Sequence, residues 1–392
     1  MSTPAELGLV AESAQPDIAI SGVVAERFAQ VALEFEENFA SRGEVGAALC
    51  VMIDGEVVID LVGGTRDLGR ERAWQHDTLV NIYSVGKSFI ALCLLELIDR
   101  HSLDLDAPVA EVWPTFGAFG KTDVSIRHAL SHQAGVPALR GELTNTDLFD
   151  FARMADAVAM TEPWCAAGER LIYHTNTYGH LIGGIIDAVS GVPPGQCLKV
   201  LTAPLDADVV VGVPDEDLAR CADVHWDLSV IPERSSILSL TGDAQMAALS
   251  YFNPPGYSSI GVVNSSPWRQ SQIPSTNMHA SAPGVAKIYD ALLTPDRVIS
   301  TPLLKEATRV QASGFCPILG EEASFGLGFT PTSARRSFGT SASSFGHFGT
   351  GGAVGFCDPE RKIAFGYVMN HVIPRWQSTR NRALIDALYE AL

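Results

Sequence analysis

Two residues three positions apart have the types and spacing for nucleophilic catalysis. Ser84 and Lys87 lie in the segment YSVGKS of residues 83–88, which opens an apolar, helix-like run over residues 89–95. Positions i and i+3 share one face of a helix, so the lysine amine can reach the serine hydroxyl and accept its proton. Unpaired N–H groups at a helix start favour negative charge that forms there. Serine is also a common N-cap and lysine a common surface residue, so the motif alone leaves a structural interpretation open.

The composition is that of an acidic globular protein. The 392 residues are 46% hydrophobic, which is enough for a large core, and 27 Lys plus Arg against 45 Asp plus Glu give a net charge of −18. Negative charge disfavours a nucleic-acid backbone or an anionic membrane surface as a partner. The longest apolar stretch, between Lys87 and Glu96, is too short to span a bilayer. We therefore expect neither nucleic acid nor membrane as a partner.

The N-terminus and the cysteines predict a cytoplasmic protein. Residues 1–8 lack the basic and apolar regions of an export signal. Seven scattered cysteines without a CxxC pair are typical of buried free thiols in a reducing compartment, not of structural zinc. Histidine spacing matches no HExxH site, and the glycines of residues 349–355 match no nucleotide-binding pattern. We expect no metal and no cofactor.

Apolar periodicity predicts similar elements at both ends of the chain. Two β-rich runs flank Asp54-Gly55, a dipeptide that favours a two-residue hairpin turn. The predicted elements are an amphipathic helix over 23–39, strands over 46–53 and 57–62, strands over 353–357 and 363–369, and a helix over 377–392. The region between them reads as helical segments joined by Pro- and Gly-rich loops.

This arrangement predicts an α+β fold. One antiparallel sheet is completed by both chain ends, and a mostly helical lobe is inserted between them. We predict a flexible tail over residues 1–17, a discontinuous α/β domain over 18–78 and 315–392, and a helical domain over 79–314. The reaction cleft is expected between the two domains.

Three further segments turn the serine–lysine pair into a longer pattern. They are residues 125–135 (SIRHALSHQAG), 168–179 (GERLIYHTNTYG) and 345–359 (FGHFGTGGAVGFCDP). In this order the chain resembles the serine β-lactamase and penicillin-binding protein superfamily, and within it most closely the family VIII carboxylesterases. The resemblance implies the β-lactamase/transpeptidase-like fold and chemistry through an acyl-enzyme.

The resemblance also implies roles for matching residues. Ser84 would be the acylated nucleophile and Lys87 the proton acceptor beside it. Tyr173 would be the acid–base partner that passes a proton to the leaving group and then activates water. The backbone N–H groups of Ser84 and Thr350 would form the oxyanion hole. Because serine is nearly un-ionised at neutral pH and phenol titrates near ~10, Lys87 and Tyr173 make sense only as a coupled pair.

Departures from the family pattern concern the substrate. His347, Phe348 and Gly349 fall where relatives have a KTG or HTG triplet, and we predict that they bind substrate. A neutral imidazole and a phenyl ring are poor anion receptors. The asparagine that many relatives have two residues after the tyrosine is replaced by Thr175, with Asn176 next to it. Both changes favour an uncharged ester over a penicillin-like acid.

Aromatic residues are candidates for an acyl pocket. Trp268, with Phe348 and Trp376, could line it, although buried aromatic side chains usually serve packing. We include Trp268 among the predicted substrate-binding residues.

Together these features predict a cytoplasmic serine carboxylesterase that hydrolyses short-chain esters without a cofactor. Its partner would be a small-molecule ester, and self-association stays open. On the same fold, a β-lactamase, a D-alanyl peptidase-like hydrolase, an acyltransferase and a non-catalytic sensor stay open as alternatives. A GxSxG nucleophile elbow, the mark of the competing α/β-hydrolase architecture, is absent from the sequence.

Overall fold

The fold is built on an antiparallel sheet that both ends of the chain complete. The structure, a computed structural model, describes residues 7–9, 19–226, 231–373 and 377–392. Its strands are β1 (Leu7–Leu9), β2 (Ile20–Ala25), β3 (Gly46–Ile53), β4 (Glu56–Gly64), β5 (Val80–Asn81), β6 (Val209–Val210), β7 (His225–Trp226), β8 (His279–Ala280), β9 (Ala312–Cys316), β10 (Glu321–Phe325), β11 (Thr330–Pro331), β12 (Phe345–Phe348), β13 (Val354–Asp358), β14 (Ile363–Met369) and β15 (His371–Val372). Within the described ranges, the main sheet has eight strands in the order β1-β2-β4-β3-β14-β13-β12-β11.

Helices fill most of the chain between β4 and β9. The helices are α1 (Ala29–Ala40), α2 (Gly86–His101), α3 (Val109–Val112), α4 (Ile126–Leu130), α5 (Asn145–Leu148), α6 (Phe151–Ala159), α7 (Thr177–Ser190), α8 (Pro194–Thr202), α9 (Arg234–Leu238), α10 (Gly242–Phe252), α11 (Ser266–Gln270), α12 (Ala282–Ala291), α13 (Thr301–Thr308) and α14 (Thr379–Glu390). The predicted α+β architecture, with a helical insertion in a sheet made by both ends, is confirmed. In the described part of the chain, none of these helices is both long and apolar enough to cross a membrane.

Both predicted hairpins are present. Asp54 and Gly55 join β3 to β4 with φ angles of 53° and 82°. Positive φ at both central residues is the geometry of a type I′ turn, whose twist matches that of the strands. Strands β13 and β14 pair antiparallel across the turn that begins at Asp358, with Phe356 opposite Phe365.

The seam between the two ends of the chain lies at strands β3 and β14. Leu49 pairs with Tyr367 there, and almost every residue of both strands is buried. Burial on both faces requires cover, and α12 packs against this seam. A Cβ on Gly366 would lie 2.5 Å from the carbonyl oxygen of Ala282, so glycine permits the close approach of α12.

The predicted helix over residues 23–39 is wrong in its first part. Val23 and Val24 belong to β2, which pairs with β4, and α1 begins only at Ala29. Two β-branched residues beside an available strand edge favour the extended conformation. Helix α1 is amphipathic, with Phe35 buried and Leu33 57% exposed. The closing helix predicted over 377–392 corresponds to α14.

The predicted tail over residues 1–17 lies mostly outside the described residues. Its described part, Leu7–Leu9, forms the edge strand β1 and pairs with β2. The domain boundaries at residues 79 and 314 stay predictions. The hairpin of β9 and β10 forms a separate two-stranded sheet, near the second of these boundaries.

Candidate active site

Ser84 lies in a tight turn at the start of the largely buried helix α2. Tyr83–Val85 form one 3-10 turn that runs directly into α2. Ser84 in the turn and Lys87 in the first turn of α2 are three residues apart and share one face, which brings their side chains together. Tyr83 holds a left-handed φ of 50°, and its hydroxyl lies 3.2 Å from Ser259 Oγ. The surrounding packing therefore holds the turn in a conformation that tyrosine rarely adopts alone.

Lys87 is fully buried and points at the serine. Its Nζ lies 3.1 Å from Ser84 Oγ, 2.6 Å from the carbonyl oxygen of Thr175 and 3.2 Å from that of Ser275. Burial lowers the pKa of this amine well below its usual value. A neutral amine has two N–H groups and one lone pair. In that form the two carbonyls can accept both N–H groups, and the lone pair is available to accept the serine proton.

Tyr173 lies beside this pair. It lies in the irregular segment before α7, its ring centroid is 5.0 Å from Lys87 Nζ, and the ring stacks on Phe325 at 5.3 Å. Burial raises the pKa of the phenol, while a hydrogen bond with Ser84 lowers it. Burial thus acts on Lys87 and Tyr173 in the same sense, favouring a neutral amine and a neutral phenol.

The end of β12 closes the site from the sheet side. A Cβ on Gly349 would lie 2.5 Å from the carbonyl oxygen of Ile82, just before the Ser84 turn. Only glycine therefore allows this strand end to approach the turn so closely. The next residue, Thr350, lines the same cavity as Ser84. The structure thus brings together the two residues predicted to form the oxyanion hole.

Ser84 opens into a cavity of about 230 Å³. The described residues of its wall contribute hydroxyl, amide, aromatic and aliphatic groups, and none of them has a charged side chain. They are Tyr83, Ser84, Thr175, Asn176, Trp226, Tyr251, Phe252, Ser258, Ile260, Thr276 and Thr350. Such a wall suits a small, uncharged and partly apolar ligand.

Comparison with protein family models shows to which family the chain belongs. The model of a family described as Beta-lactamase matches residues 31–390, nearly the whole chain. The chain belongs to the β-lactamase family. The membership predicted from the sequence motifs is confirmed, and so is the β-lactamase/transpeptidase-like fold. The protein is accordingly a hydrolase of the serine β-lactamase fold.

Relatives of this β-lactamase family member include esterases and penicillin-binding proteins. The esterase/beta-lactamase LipL of Mycobacterium tuberculosis (strain ATCC 25618 / H37Rv) is 30% identical over 374 residues, which cover 90% of this chain and 83% of LipL. A solved family VIII carboxylesterase superposes with a TM-score of 0.87 at 32% identity, covering 95% of this chain and 100% of the other. A penicillin-binding protein homolog from Caulobacter crescentus has a TM-score of 0.85 at 35% identity, with the same coverage.

His347, which the sequence motif predicts at the KTG position, lies close to the candidate catalytic residues. Its ring centroid is 6.3 Å from that of Tyr173, and its Nδ1 lies 2.7 Å from the carbonyl oxygen of Phe348. Burial, followed by the charge that Lys87 carries when protonated, lowers the pKa of His347 to about 3. The imidazole is therefore neutral at physiological pH, with its proton on the Nδ1 that faces the carbonyl.

Two of the predicted substrate-binding aromatics lie in the packing instead of the cavity wall. Phe348 is buried and stacks on Phe338 at 4.6 Å. Trp268 is fully buried on α11, and its Nε1 donates to Asn81 Oδ1 at 3.1 Å. Neither is among the described residues that line the cavity. Trp376, the third aromatic candidate, lies outside the described residues.

The cavity wall contains residues that sequence reasoning missed. Tyr251 and Phe252 end α10, and Trp226 ends β7. No motif marks them; the aromatic pair before Asn253-Pro254 is the one local signal that could have been noticed.

Asn176 has a structural place in this wall. Its Nδ2 donates to the carbonyl oxygen of Ser250 at 2.8 Å and to Ser258 Oγ at 2.9 Å. Its Oδ1 accepts a hydrogen bond from Thr276 Oγ1 at 2.8 Å. The amide thus links three segments of the wall, while the backbone of Thr175 holds Lys87.

Proposed function

We propose that the protein is a serine carboxylesterase that hydrolyses short-chain, uncharged carboxylic esters through an acyl-enzyme on Ser84. The observation that carries this proposal is the 3.1 Å contact of Lys87 Nζ with Ser84 Oγ at the floor of the small cavity. A nucleophile, a base with a lowered pKa and a space for the substrate then share one place.

Lys87 starts the reaction as a neutral amine. As Ser84 Oγ attacks the ester carbonyl carbon, its proton moves to the lone pair of Lys87 Nζ. The two carbonyl oxygens of Thr175 and Ser275 fix the amine, so little reorganisation is needed. The ammonium that forms lies near the face of the Tyr173 ring, where the π electrons favour a cation.

The tetrahedral oxyanion forms between the end of β12 and the start of α2. The N–H groups of Ser84 and Thr350 stabilise it, one from each side of the contact between Gly349 and Ile82. Tyr173 begins as a neutral phenol because burial raises its pKa. It donates its proton to the leaving alkoxide and recovers a proton from Lys87, so the alcohol leaves and the acyl group stays on Ser84.

Deacylation runs the same proton path in reverse. A water molecule takes the place of the alcohol, and Tyr173 together with neutral Lys87 accepts its proton as it attacks the acyl carbon. Collapse of the second tetrahedral intermediate returns a proton to Ser84 Oγ and releases the carboxylic acid. Only Ser84, Lys87 and Tyr173 exchange protons in this cycle.

The cavity supports a small neutral substrate. Its volume of about 230 Å³ lies below the range typical of drug-sized ligand sites, roughly 300–1,000 Å³. Aromatic faces of Tyr83, Trp226, Tyr251 and Phe252 can bury a short acyl or alcohol group. At the KTG position the neutral His347 replaces the lysine that would hold a carboxylate.

The relatives give further support. One is named an esterase/beta-lactamase and one a family VIII carboxylesterase, and both match over most of this chain. The cytoplasm is the location we propose, supported by seven free cysteines, of which six are buried.

Turnover of p-nitrophenyl acetate and of nitrocefin tests the function. We expect the parent protein to hydrolyse the ester much faster than nitrocefin, and Ser84→Ala to lose at least about 1,000-fold of that rate. Ser343→Ala, which removes an exposed hydroxyl paired with Glu360, is the matched control and should keep the parent rate. Preferential nitrocefin turnover would favour a lactamase. A stable adduct without turnover would favour a sensor, and equal rates for Ser84→Ala and parent would overturn the site.

A further inference from the structure

Three consecutive backbone N–H groups, those of residues 172–174, each donate a hydrogen bond to a residue outside this segment. The N–H of Ile172 donates to the carbonyl oxygen of His132 at 3.1 Å. The N–H of Tyr173 donates to Cys316 Sγ at 3.2 Å, and that of His174 donates to His132 Nδ1 at 3.2 Å. A segment without regular secondary structure is thus fixed residue by residue, and His132 supplies two of the three acceptors.

The backbone of His132 has a left-handed conformation, which bears on how it accepts these hydrogen bonds. The residue follows α4, is buried, and holds a left-handed φ of 65°. A residue other than glycine adopts this region uncommonly, although asparagine, aspartate and histidine do so more often than the rest, and the conformation persists where the surroundings impose it. The left-handed turn lets the carbonyl and the side chain of one residue reach both neighbours of Tyr173.

The protonation state of His132 suits an acceptor at Nδ1. Since Nδ1 accepts the N–H of His174, the proton of the neutral ring lies on Nε2. Burial lowers the pKa of His132 well below its usual value, and charge on His174, Lys87 or His347 lowers it further. The ring therefore stays neutral and keeps Nδ1 available at working pH.

The ring of His132 also confines the phenol of Tyr173. The two ring centroids are 4.8 Å apart, and Phe325 lies 4.7 Å from His132 and 5.3 Å from Tyr173. Tyr178 completes the enclosure, 4.6 Å from His132. His132 thus accepts hydrogen bonds from the residues on either side of Tyr173 and also packs against its ring.

We infer that His132 is a positioning residue that sets the Tyr173 phenol against Ser84 and Lys87 through the two hydrogen bonds that it accepts from the backbone on either side of Tyr173. This role rests on the function proposed above, because it matters for rate only if Tyr173 transfers protons. His132 touches no reacting atom. Its loss should lower kcat and leave KM nearly unchanged, as expected when a proton-transfer group is misplaced.

Two substitutions separate the side-chain acceptor from the backbone conformation. Asparagine and glycine both tolerate the left-handed φ, and both remove the ring. Only asparagine keeps an acceptor near the Nδ1 position. We expect His132→Asn to keep kcat within about threefold of the parent and His132→Gly to lose about 10- to 100-fold, with folding checked by thermal unfolding. Equal rates for the two folded variants would overturn the inference.

A double-mutant cycle with Tyr173→Phe distinguishes positioning from general packing. If His132 acts through the phenol, His132→Gly should change kcat by less than about threefold once the phenolic hydroxyl is gone. The same loss of about 10- to 100-fold in both backgrounds would contradict the inference.

Amide hydrogen exchange tests the role of His132 independently of the esterase function. In His132→Gly the amides of residues 172–174 should exchange at least about tenfold faster than in the parent, and in His132→Asn at nearly the parent rate. A parent without Ser84-dependent turnover but with this exchange pattern would refute only the esterase function. Unchanged exchange in the glycine variant would refute the role of His132.

Discussion

Replacing Gly349 by alanine should slow the reaction without unfolding the protein. The added Cβ would lie 2.5 Å from the carbonyl oxygen of Ile82 and 3.2 Å from the Cβ of Ala353. Real Cβ atoms essentially never come closer than 3.0 Å, so the strand end and the nucleophile turn must separate by about 0.5 Å. Gly349 itself has backbone angles open to alanine, so the effect comes from this contact alone.

The expected loss in kcat follows from the residues next to the contact between Gly349 and Ile82. Ser84 is two residues beyond Ile82, and Thr350 directly follows Gly349, so the separation widens the proposed oxyanion hole. Losing one oxyanion donor outright costs about 100- to 1,000-fold in kcat. A displacement of about 0.5 Å weakens both donors without removing either, and we expect a loss of about 10- to 100-fold. KM should change little, because the oxyanion exists only along the reaction path.

Steady-state kinetics with p-nitrophenyl acetate measure this loss. Gly141→Ala is the matched control, since a Cβ there meets nothing within 4 Å and the backbone angles also suit alanine. The control should match the parent in both kcat and thermal stability. A folded Gly349→Ala protein with kcat within about threefold of the parent would refute the oxyanion geometry.

Three further predictions test separate parts of the structure. Because burial lowers the pKa of Lys87, kcat/KM should fall as pH drops through that lowered value and the amine becomes protonated. A pH–rate profile checks this, and Lys87→Arg, charged at every accessible pH, should show no recovery at alkaline pH. Arg380→Met should lower the free energy of unfolding by about 3–5 kcal/mol in urea titrations, because the buried Glu44 carboxylate, 2.6 Å from the guanidinium, would lose its ion-pair partner. The control Lys362→Met, which removes an exposed ion pair, should lower it by less than about 1 kcal/mol. Phe252→Ala should enlarge the cavity and shift the ester preference by about tenfold from acetate toward hexanoate, measured with a p-nitrophenyl ester series.

Features set by neighbouring residues were predictable from the sequence. Asp54 and Gly55 both need positive φ in a two-residue hairpin, so the turn and its strands follow from the dipeptide. Ser84 and Lys87 meet because i and i+3 share a face, whichever helical geometry the turn adopts. The apolar run after Lys87 predicted a helix, and the structure has α2 there.

Features that depend on distant segments were not predictable. Val24 has a helical spacing to Phe28, yet it lies in β2, since strand β4 offers it a partner more than thirty residues away. The cavity wall joins Trp226, Tyr251 and Thr350, whose meeting depends on the whole fold. The same limit applies to Trp268 and Phe348, because an aromatic residue in a sequence does not reveal whether it packs or lines a site.

Identifying the residue that carries the acyl group tests most directly the central claim that Ser84 is the nucleophile. The protein is mixed with a p-nitrophenyl ester, quenched in acid within one turnover and digested, and the peptide that contains Ser84 is sequenced by mass spectrometry. We predict one acyl group per chain on Ser84 Oγ during the first turnover, and none in Ser84→Ala. A burst of p-nitrophenol with the acyl group on another residue would contradict the claim that Ser84 is the nucleophile. A burst without any acylated peptide, together with an active Ser84→Ala protein, would contradict it as well.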